Sequence, residues 1–506
     1  MDEATDRRGD TAQAIGAQVQ DADEGAESTT KSVAYAGEAT EHLNEAAEAE
    51  SAVDRTTQFA EEPVGRLMLR YSGPSIVAML SSTMFNLINM AFVGRSIGAL
   101  GIAAIAICAP ITMIQGSIGQ LIGNGCAAAV SISLGKGERD NAKAILGCSI
   151  AATLLVAVVN TILGFSFAEG LLRSFGASEA IMPYARDYFL VYLCGMIFSL
   201  GAMNPILRIE GFPKQAMLTM LLMSGLNFIF TPLFLFVFNL GIKGAALGTL
   251  CSQFGSSLWI LLFMVNKKRV LRLEWKYLRI KMNIISFVLQ LGLPSFIMQI
   301  TQSLLSVVMN RSLGTYGGDI AISAWGITNN INSVVSQPIF GLNQAIQPIV
   351  GYNIGAGLYQ RVKQTLIYAL SVATVFSLVS WLVILLFPEP IIAFFNTDPT
   401  LVALGSRMLV VFRMLIFIVG IQQVGATYFQ YTGKPNISIF LSLSRQVLIL
   451  MPCVLILPRF FQFNGILYSG PVSDLLSSAL TGGFLWFEVK RLNRLMREEG
   501  EKAASA

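Results

Sequence analysis

Twelve stretches of this 506-residue chain are each long enough and apolar enough to cross a lipid bilayer, which constrains the fold more than any other feature. A helical crossing needs about 20 predominantly apolar residues. Such runs fall at 71–94, 100–132, 142–167, 186–207, 214–238, 241–265, 285–310, 319–348, 362–387, 403–429, 436–457 and 464–488. Clusters of breakers separate them, among them Gly135-Lys136-Gly137, Gly211-Phe212-Pro213 and Gly433-Lys434-Pro435. Lipid offers no hydrogen-bond partners, so each run predicts a helix rather than an open strand. The expected fold class is an all-α integral membrane protein with twelve transmembrane helices.

Charge is distributed to match. Residues 1–62 hold 16 acids and four bases, a net of −12, whereas the rest of the chain holds 15 acids and 31 bases, a net of +16. The acidic segment has little apolar bulk, so it predicts a disordered tail, with Glu38 to Glu50 as a transient helix. The sole histidine, His42, lies in that tail. Histidine-dependent catalytic triads and imidazole-based zinc sites are therefore excluded from the body of the fold. Fifteen Lys and Arg fall in loops on one side of the predicted bundle and six on the other. The positive-inside rule then puts both termini in the cytoplasm. The loop at 266–283 alone contributes seven of the fifteen. The six cysteines are scattered through the runs with no Cys-x-x-Cys spacing, and read as free apolar side chains.

The two halves repeat. Leu134-Gly135-Lys136-Gly137 followed by Lys143 matches Ile354-Gly355-Ala356-Gly357 followed by Lys363 at an offset of 220. Gly73-Pro74-Ser75 matches Leu293-Pro294-Ser295 at the same offset, and Gly211 with Pro213 matches Gly433 with Pro435 at 222. Each unit holds six runs, an even number, so both units share one orientation and are related by an axis along the membrane normal. Two six-helix bundles paired in this way enclose a cavity, which points to a transporter. The expected divisions are a disordered acidic tail at 1–62, an N-terminal bundle at 63–270, a C-terminal bundle at 271–490 and a basic cytoplasmic tail at 491–506.

An ionisable group near the bilayer centre costs about 2.5–3.5 kcal/mol on insertion scales and is a functional hypothesis by default. Arg413, Arg445 and Asp474 each lie about ten residues into their runs, so all three fall near the midplane and predict an Arg–Asp cluster. Two readings stand for it: an ion pair that fixes packing, or a carboxylate that trades its arginine for H+ or Na+. Arg208 and Glu210 end the fourth run and read first as a helix-end interaction. The eighth run is rich in amides, including Asn329, Gln344 and Gln347, and predicts a wall of a polar cavity. Methionines and aromatics such as Met298, Trp325 and Phe340 could add an adaptable apolar wall, although packing roles compete at each position.

Several of these motifs carry a family resemblance. The stretch from Asn310 to Asp319, then Pro338-Ile339-Phe340-Gly341, then Gln347-Pro348 through Gly351-Tyr352-Asn353 to Gly355, and Arg361-Val362-Lys363, closely resembles multidrug and toxic compound extrusion (MATE) transporters, most of all the MepA-like bacterial branch. Arg208-Ile209-Glu210-Gly211, Ser444-Arg445-Gln446 and Pro471-Val472-Ser473-Asp474 support it. The resemblance covers residues 63 to about 490. It implies two V-shaped lobes that export organic cations and drugs in exchange for H+ or Na+ by alternating access. It also implies a multi-pass protein of the cytoplasmic (inner) membrane, without enzymatic activity, organic cofactor or nucleic-acid partner, and monomeric. A flippase for lipid-linked oligosaccharides or other amphiphiles is the alternative.

The sequence departs from the family pattern at informative places. Asn89 stands where many relatives carry a carboxylate in the first span, Thr231 precedes Pro232 where the branch often has Asp, Gln302 replaces an acid in span seven, and Gly420 stands where an acid occurs in span ten. No acid then lies well inside the N-terminal bundle. Asp474, Glu210, Arg445 and Arg413 are the cation-coupling candidates. Asn89, Asn227, Thr231, Gln302, Asn329, Gln344, Gln347 and Tyr352 are the cavity candidates. Three outcomes fit: coupling through Asp474 or Glu210, substrates less cationic than is usual for the family, or transport without tight coupling.

Overall fold

Every regular element among the described residues is helical, as a chain dissolved in lipid requires. The computed structural model describes residues 56–97, 99–175, 177–265, 269–396 and 398–505. The acidic stretch before residue 56, with His42 and the segment from Glu38 to Glu50, lies outside them. So do Lys267 and Lys268 of the basic loop and the side chains of Phe85, Met90 and Arg95.

The first half comprises α1 (Val64–Ile97), α2 (Ala99–Gly135), α3 (Arg139–Ser174), α4 (Met182–Gly195) continued through a 3-10 stretch (Met196–Met203) into α5 (Asn204–Ile209), α6 (Pro213–Pro232) with a π turn (Leu233–Val237), and α7 (Gly241–Val265). The second comprises α8 (Met282–Gly355), α9 (Tyr359–Leu386), the short α10 (Pro388–Ala393), α11 (Pro399–Phe412), α12 (Ile416–Tyr431), α13 (Pro435–Leu443) with a π turn (Ser444–Leu450) leading into α14 (Met451–Phe461), and α15 (Phe463–Ser505). By length and composition seven helices qualify as spans, or eight when α11 and α12, bent by 56°, are taken together. The 74 residues of α8 would reach about 110 Å as one rod, several times the bilayer core. Gly318, at φ 68°, breaks α8 into two traverses. Joined across their breaks, the described elements form twelve rods, six per half.

The repeat seen in the sequence is a repeat of turn geometry. Gly137 and Gly357 end α2 and α8 at φ 78° and 75°, a left-handed conformation that only glycine adopts without steric cost. The hydrogen bonds that close the two turns also correspond: the Glu138 amide donates to the Ser133 carbonyl at 3.0 Å, and the Leu358 amide to the Asn353 carbonyl at 2.9 Å. Gly211 and Gly433 repeat the pattern, with amides of Phe212 and Lys434 donating to Leu207 and Phe429, each at 2.9 Å.

The halves meet through α2 and α8 with backbones nearly touching. A Cβ on Gly135 would overlap the Tyr352 carbonyl oxygen, and one on Gly355 would overlap the Ile132 carbonyl oxygen. These two contacts are one contact seen twice, since Ile132 and Gly135 sit 220 residues before Tyr352 and Gly355. Gly125 against the Val288 carbonyl and Gly292 against the Leu121 carbonyl extend the close approach. Small residues permit such packing where no hydrophobic force draws helices together. Polar bonds cross the same seam: Ser131 Oγ donates to the Pro348 carbonyl at 3.2 Å, and Asn124 Nδ2 to Ser295 Oγ at 3.2 Å.

Two expected boundaries shift. Residues 56–61 already form helical turns rather than unstructured tail, with Phe59 fully buried between the rings of Tyr71 and Tyr352. Asn353 and Arg361 donate to the Phe59 carbonyl at 3.0 and 3.1 Å, so a single aromatic anchors a polar segment. At the other end α15 runs unbroken through 491–505, with Leu492 buried, so the basic C-terminus continues a helix instead of forming a separate tail.

Candidate functional site

The three charges expected near the midplane come together where two rods lose regularity against the unbroken α15. Arg413 sits at the break between α11 and α12, with φ −105° and ψ 16°. Arg445 lies in the π turn after α13, a wide turn of the kind often found at functional sites. The Arg445 carbonyl accepts from Ser473 Oγ of α15 at 2.8 Å. Gly470, Asp474 and Ser478 share one face of α15 by their spacing of four. A Cβ at Gly470 would lie 2.5 Å from the Phe412 carbonyl oxygen, so the glycine lets α15 press against the α11–α12 break. Ser478 Oγ donates to the Ile418 carbonyl at 3.1 Å on the same face.

The charges do not balance. Asp474 Oδ1 accepts from Arg445 Nε at 3.1 Å and Nη2 at 2.9 Å. Its Oδ2 is buried without a partner. Arg413 is 7% exposed, and its Nε is likewise buried without a partner. The guanidinium stands 5.3 Å from the Phe412 ring centroid. One carboxylate, bound by Arg445 alone, thus stands in a cavity with two guanidiniums, where electrostatic interactions are strong and poorly screened.

These groups line a cavity of about 90 Å³ together with Gln302, Trp325, Asn329 and Asn332. A neighbouring cavity of about 150 Å³ shares Arg445, Gln423, Gln446, Phe340 and Met298 with it, and reaches Asn124 of α2. Nine amide side chains line this second cavity, with Arg445 its one charged group. A third, of about 270 Å³, lies in the first half and is lined by Met196, Phe198, Met220 and Met223 with amides of Gln115 and Gln253; no acid or base borders it.

The sequence-derived candidates separate on this geometry. Arg413, Arg445, Asp474, Gln302 and Asn329 line the charged cavity, and Gln344 the amide-lined one. Glu210 is buried elsewhere and accepts from the Leu271 amide at 2.8 Å, which ties the inter-half loop to the end of α5. Asn227 and Thr231 hydrogen-bond each other, and Asn227 Nδ2 donates to Thr249 Oγ1 at 3.3 Å, joining α6 to α7. Gln347 donates to the Asn124 carbonyl at 3.4 Å in the seam between halves. Tyr352 lies at the glycine contact against Phe59. Asn89 has a buried Oδ1 without a partner and borders none of the three cavities. Sequence reasoning missed Gln422, Gln423 and Gln430 of α12, which line the amide cavity. Gln423 and Gln430, seven apart, share one helical face in an apolar run, which is the signal the sequence offers.

A multi-pass helical membrane protein with two like-oriented halves, a glycine seam and polar cavities at membrane depth has the architecture of a two-lobed carrier. The MatE family model matches residues 74–233 and again residues 294–455, an offset of 220 between the starts. The chain belongs to this family, whose members are transporters and not enzymes. It is 25% identical over 425 residues to the multidrug export protein MepA of Staphylococcus haemolyticus, covering 83% of this chain and 93% of that one. It is 27% identical over 421 residues to an FAD transporter of Shewanella oneidensis, covering 82% and 92%. Among solved structures, the MATE multidrug transporter DinF-BH is 33% identical, with a TM-score of 0.79 over 84% of this chain and 96% of that one. An outward-facing MATE family transporter is 23% identical with a TM-score of 0.82, covering 88% and 99%, a likeness of fold.

Proposed function

We propose that this chain is a secondary active exporter of drugs and related organic molecules across the bacterial inner membrane, working by alternating access in exchange for H+ or Na+. The observation that carries this reading is the reciprocal contact of Gly135 with Tyr352 and Gly355 with Ile132. It closes one end of the seam between two repeated halves, while the cavities lie at membrane depth beside it. A contact this close, with a few neutral side-chain hydrogen bonds and no ion pair between α2 and α8 among the described residues, can separate when the halves rock apart. The adjoining turns carry Lys136, Arg139, Lys143, Arg361 and Lys363, so the positive-inside rule supports a cytoplasmic position for the closed end and for both termini. The two bundles, 63–270 and 271–490, are the moving bodies in this reading.

Asp474 is the sole carboxylate lining the three cavities, which supports it as the group through which H+ or Na+ would act. The same scarcity of acids argues against a restriction to organic cations, and the similarity to an FAD transporter supports a wider range. Dye efflux from proteoliposomes under a pH gradient and a Na+ gradient, imposed separately, tests the proposal. Efflux should follow one gradient and stop when it is dissipated. Dye movement that ignores both gradients, or no movement at all, would overturn exchange.

A further inference from the structure

We infer that the cavity at the α11–α12 break is a subsite for an organic anion, with Arg413 as the residue that receives the carboxylate, sulfonate or phosphate group. This deepens the export reading above and rests on it for the route by which the anion arrives. Among the residues lining the three cavities, two are cationic and one is anionic. Arg445 already holds Asp474 through two hydrogen bonds to one oxygen. Arg413 forms no ion pair among the described residues, and it is more than nine-tenths buried with an unpartnered Nε. A buried guanidinium with a carboxylate in its cavity but no ion-pair contact is a standing cost that an anionic ligand relieves. The planar fork of N–H donors suits a carboxylate or phosphate.

The surroundings fit a head group and a body. Asn329, Asn332 and Gln302 put amide donors around the cavity, and Trp325 meets Phe412 edge-on at 4.8 Å to form an aromatic wall. About 90 Å³ admits an anionic head rather than a whole drug. The amide-lined cavity of about 150 Å³, reached past Arg445, can take the rest. An organic cation would be repelled by two guanidiniums around the one carboxylate, which disfavours the opposite assignment, whereas H+ or Na+ would need only the unpartnered Oδ2.

The test uses the full chain in phosphatidylcholine nanodiscs and two xanthene dyes of opposite charge, fluorescein and rhodamine 123, read by fluorescence anisotropy without any gradient. Wild type should bind fluorescein about tenfold tighter than rhodamine 123. Arg413→Gln should weaken fluorescein about tenfold and leave rhodamine 123 unchanged, while Arg413→Lys keeps much of the affinity. If Arg413→Gln does not fold, the wild-type preference decides, together with Arg413→Lys, which keeps the charge and should weaken fluorescein only slightly while leaving rhodamine 123 unchanged. A wild-type preference for rhodamine 123, or fluorescein binding that ignores Arg413→Gln, overturns the subsite. So does displacement of fluorescein when phosphatidylglycerol is added, since the occupant would then be a lipid and not a solute. Arg413-dependent fluorescein binding with no transport of either dye would remove the export reading and leave the subsite. Transport of both dyes at a ratio unaltered by Arg413→Gln would do the reverse.

Discussion

The two halves share their turns and differ in their interiors. In each half the same left-handed glycine ends the second traverse, at Gly137 and Gly357, with the same amide-to-carbonyl closure. Yet the cavity of the first half is bordered by methionines, aromatics and amides without an acid or base, whereas the second holds Arg413, Arg445 and Asp474. Turn geometry is fixed by local backbone chemistry and by the need to keep the halves in register, so duplication preserves it. Charges at membrane depth carry a cost of their own and persist only where they serve packing or a ligand. The comparison therefore separates what the halves share, their turns and their seam, from what they do not, the charges that line their cavities.

The largest expected effect tests the asymmetric part. Asp474→Asn would leave two buried guanidiniums without a carboxylate, a loss of about 3–5 kcal/mol by the usual cost of breaking a buried pair. Arg445→Gln should cost less, because the charge of Arg413 in the same cavity still acts on Asp474 at longer range. The thermal midpoint of the purified protein in detergent should fall more for the first variant than for the second. If Arg445→Gln proves the more damaging, Arg413 does not share the field of Asp474. In the first half, Asn227→Ala removes only neutral bonds, one within α6 to Thr231 and one to Thr249 of α7, about 1 kcal/mol each, and should lie well below both.

The symmetric part is tested at the seam. Gly135→Ala and Gly355→Ala each push a methyl group into a backbone carbonyl of the opposite half, an overpacking cost of about 1–3 kcal/mol. Both should shift the protein away from the closed seam, and by similar amounts. Cross-linking between cysteines introduced at Ile132 and Tyr352 measures this. Unequal effects would show that the closed contact is not two-fold. This symmetry was legible in the sequence, because glycine at a left-handed turn leaves a mark at a fixed position. The Arg–Asp cluster was legible too, since depth along a run follows from residue count. What a residue faces was less so: Asn227 and Thr231 had the depth of cavity residues but turn toward α7. The α11–α12 bend, with no proline or glycine at Arg413 to announce it, hid the cavity face of α12. The ordered turns at 56–61 were hidden because one buried aromatic, Phe59, outweighs an acidic composition.

The smallest effect compares one repeated position. Lys143 and Lys363 are 220 residues apart, and each reaches from the start of its helix to a distant segment. Lys143 Nζ meets Glu274 Oε1 at 3.1 Å in the inter-half loop, where Lys276 also binds Glu274 at 2.6 Å. Lys363 Nζ instead donates to Asn493 Oδ1 at 2.9 Å on α15. Partial burial raises the affinity of the Glu274 carboxyl for protons, but the hydrogen bonds and charges of Lys276 and Lys143 outweigh it and hold the group below its ordinary range. A depressed carboxyl stabilises the fold above its unfolded value of about 4.3, and that contribution disappears as the pH falls through the lower folded value. Such a partly exposed pair contributes about 0.5–1 kcal/mol at most. Hydrogen exchange of the loop at 271–278 should therefore quicken as the pH is lowered below the unfolded carboxyl value of about 4.3, relative to intrinsic rates, while the contact of Lys363 with Asn493 stays as protected as before. Glu274→Gln should make the loop insensitive to pH over that range. Equal acid sensitivity at both ends would mean that the charge on Glu274 is not what holds the first half's loop in place.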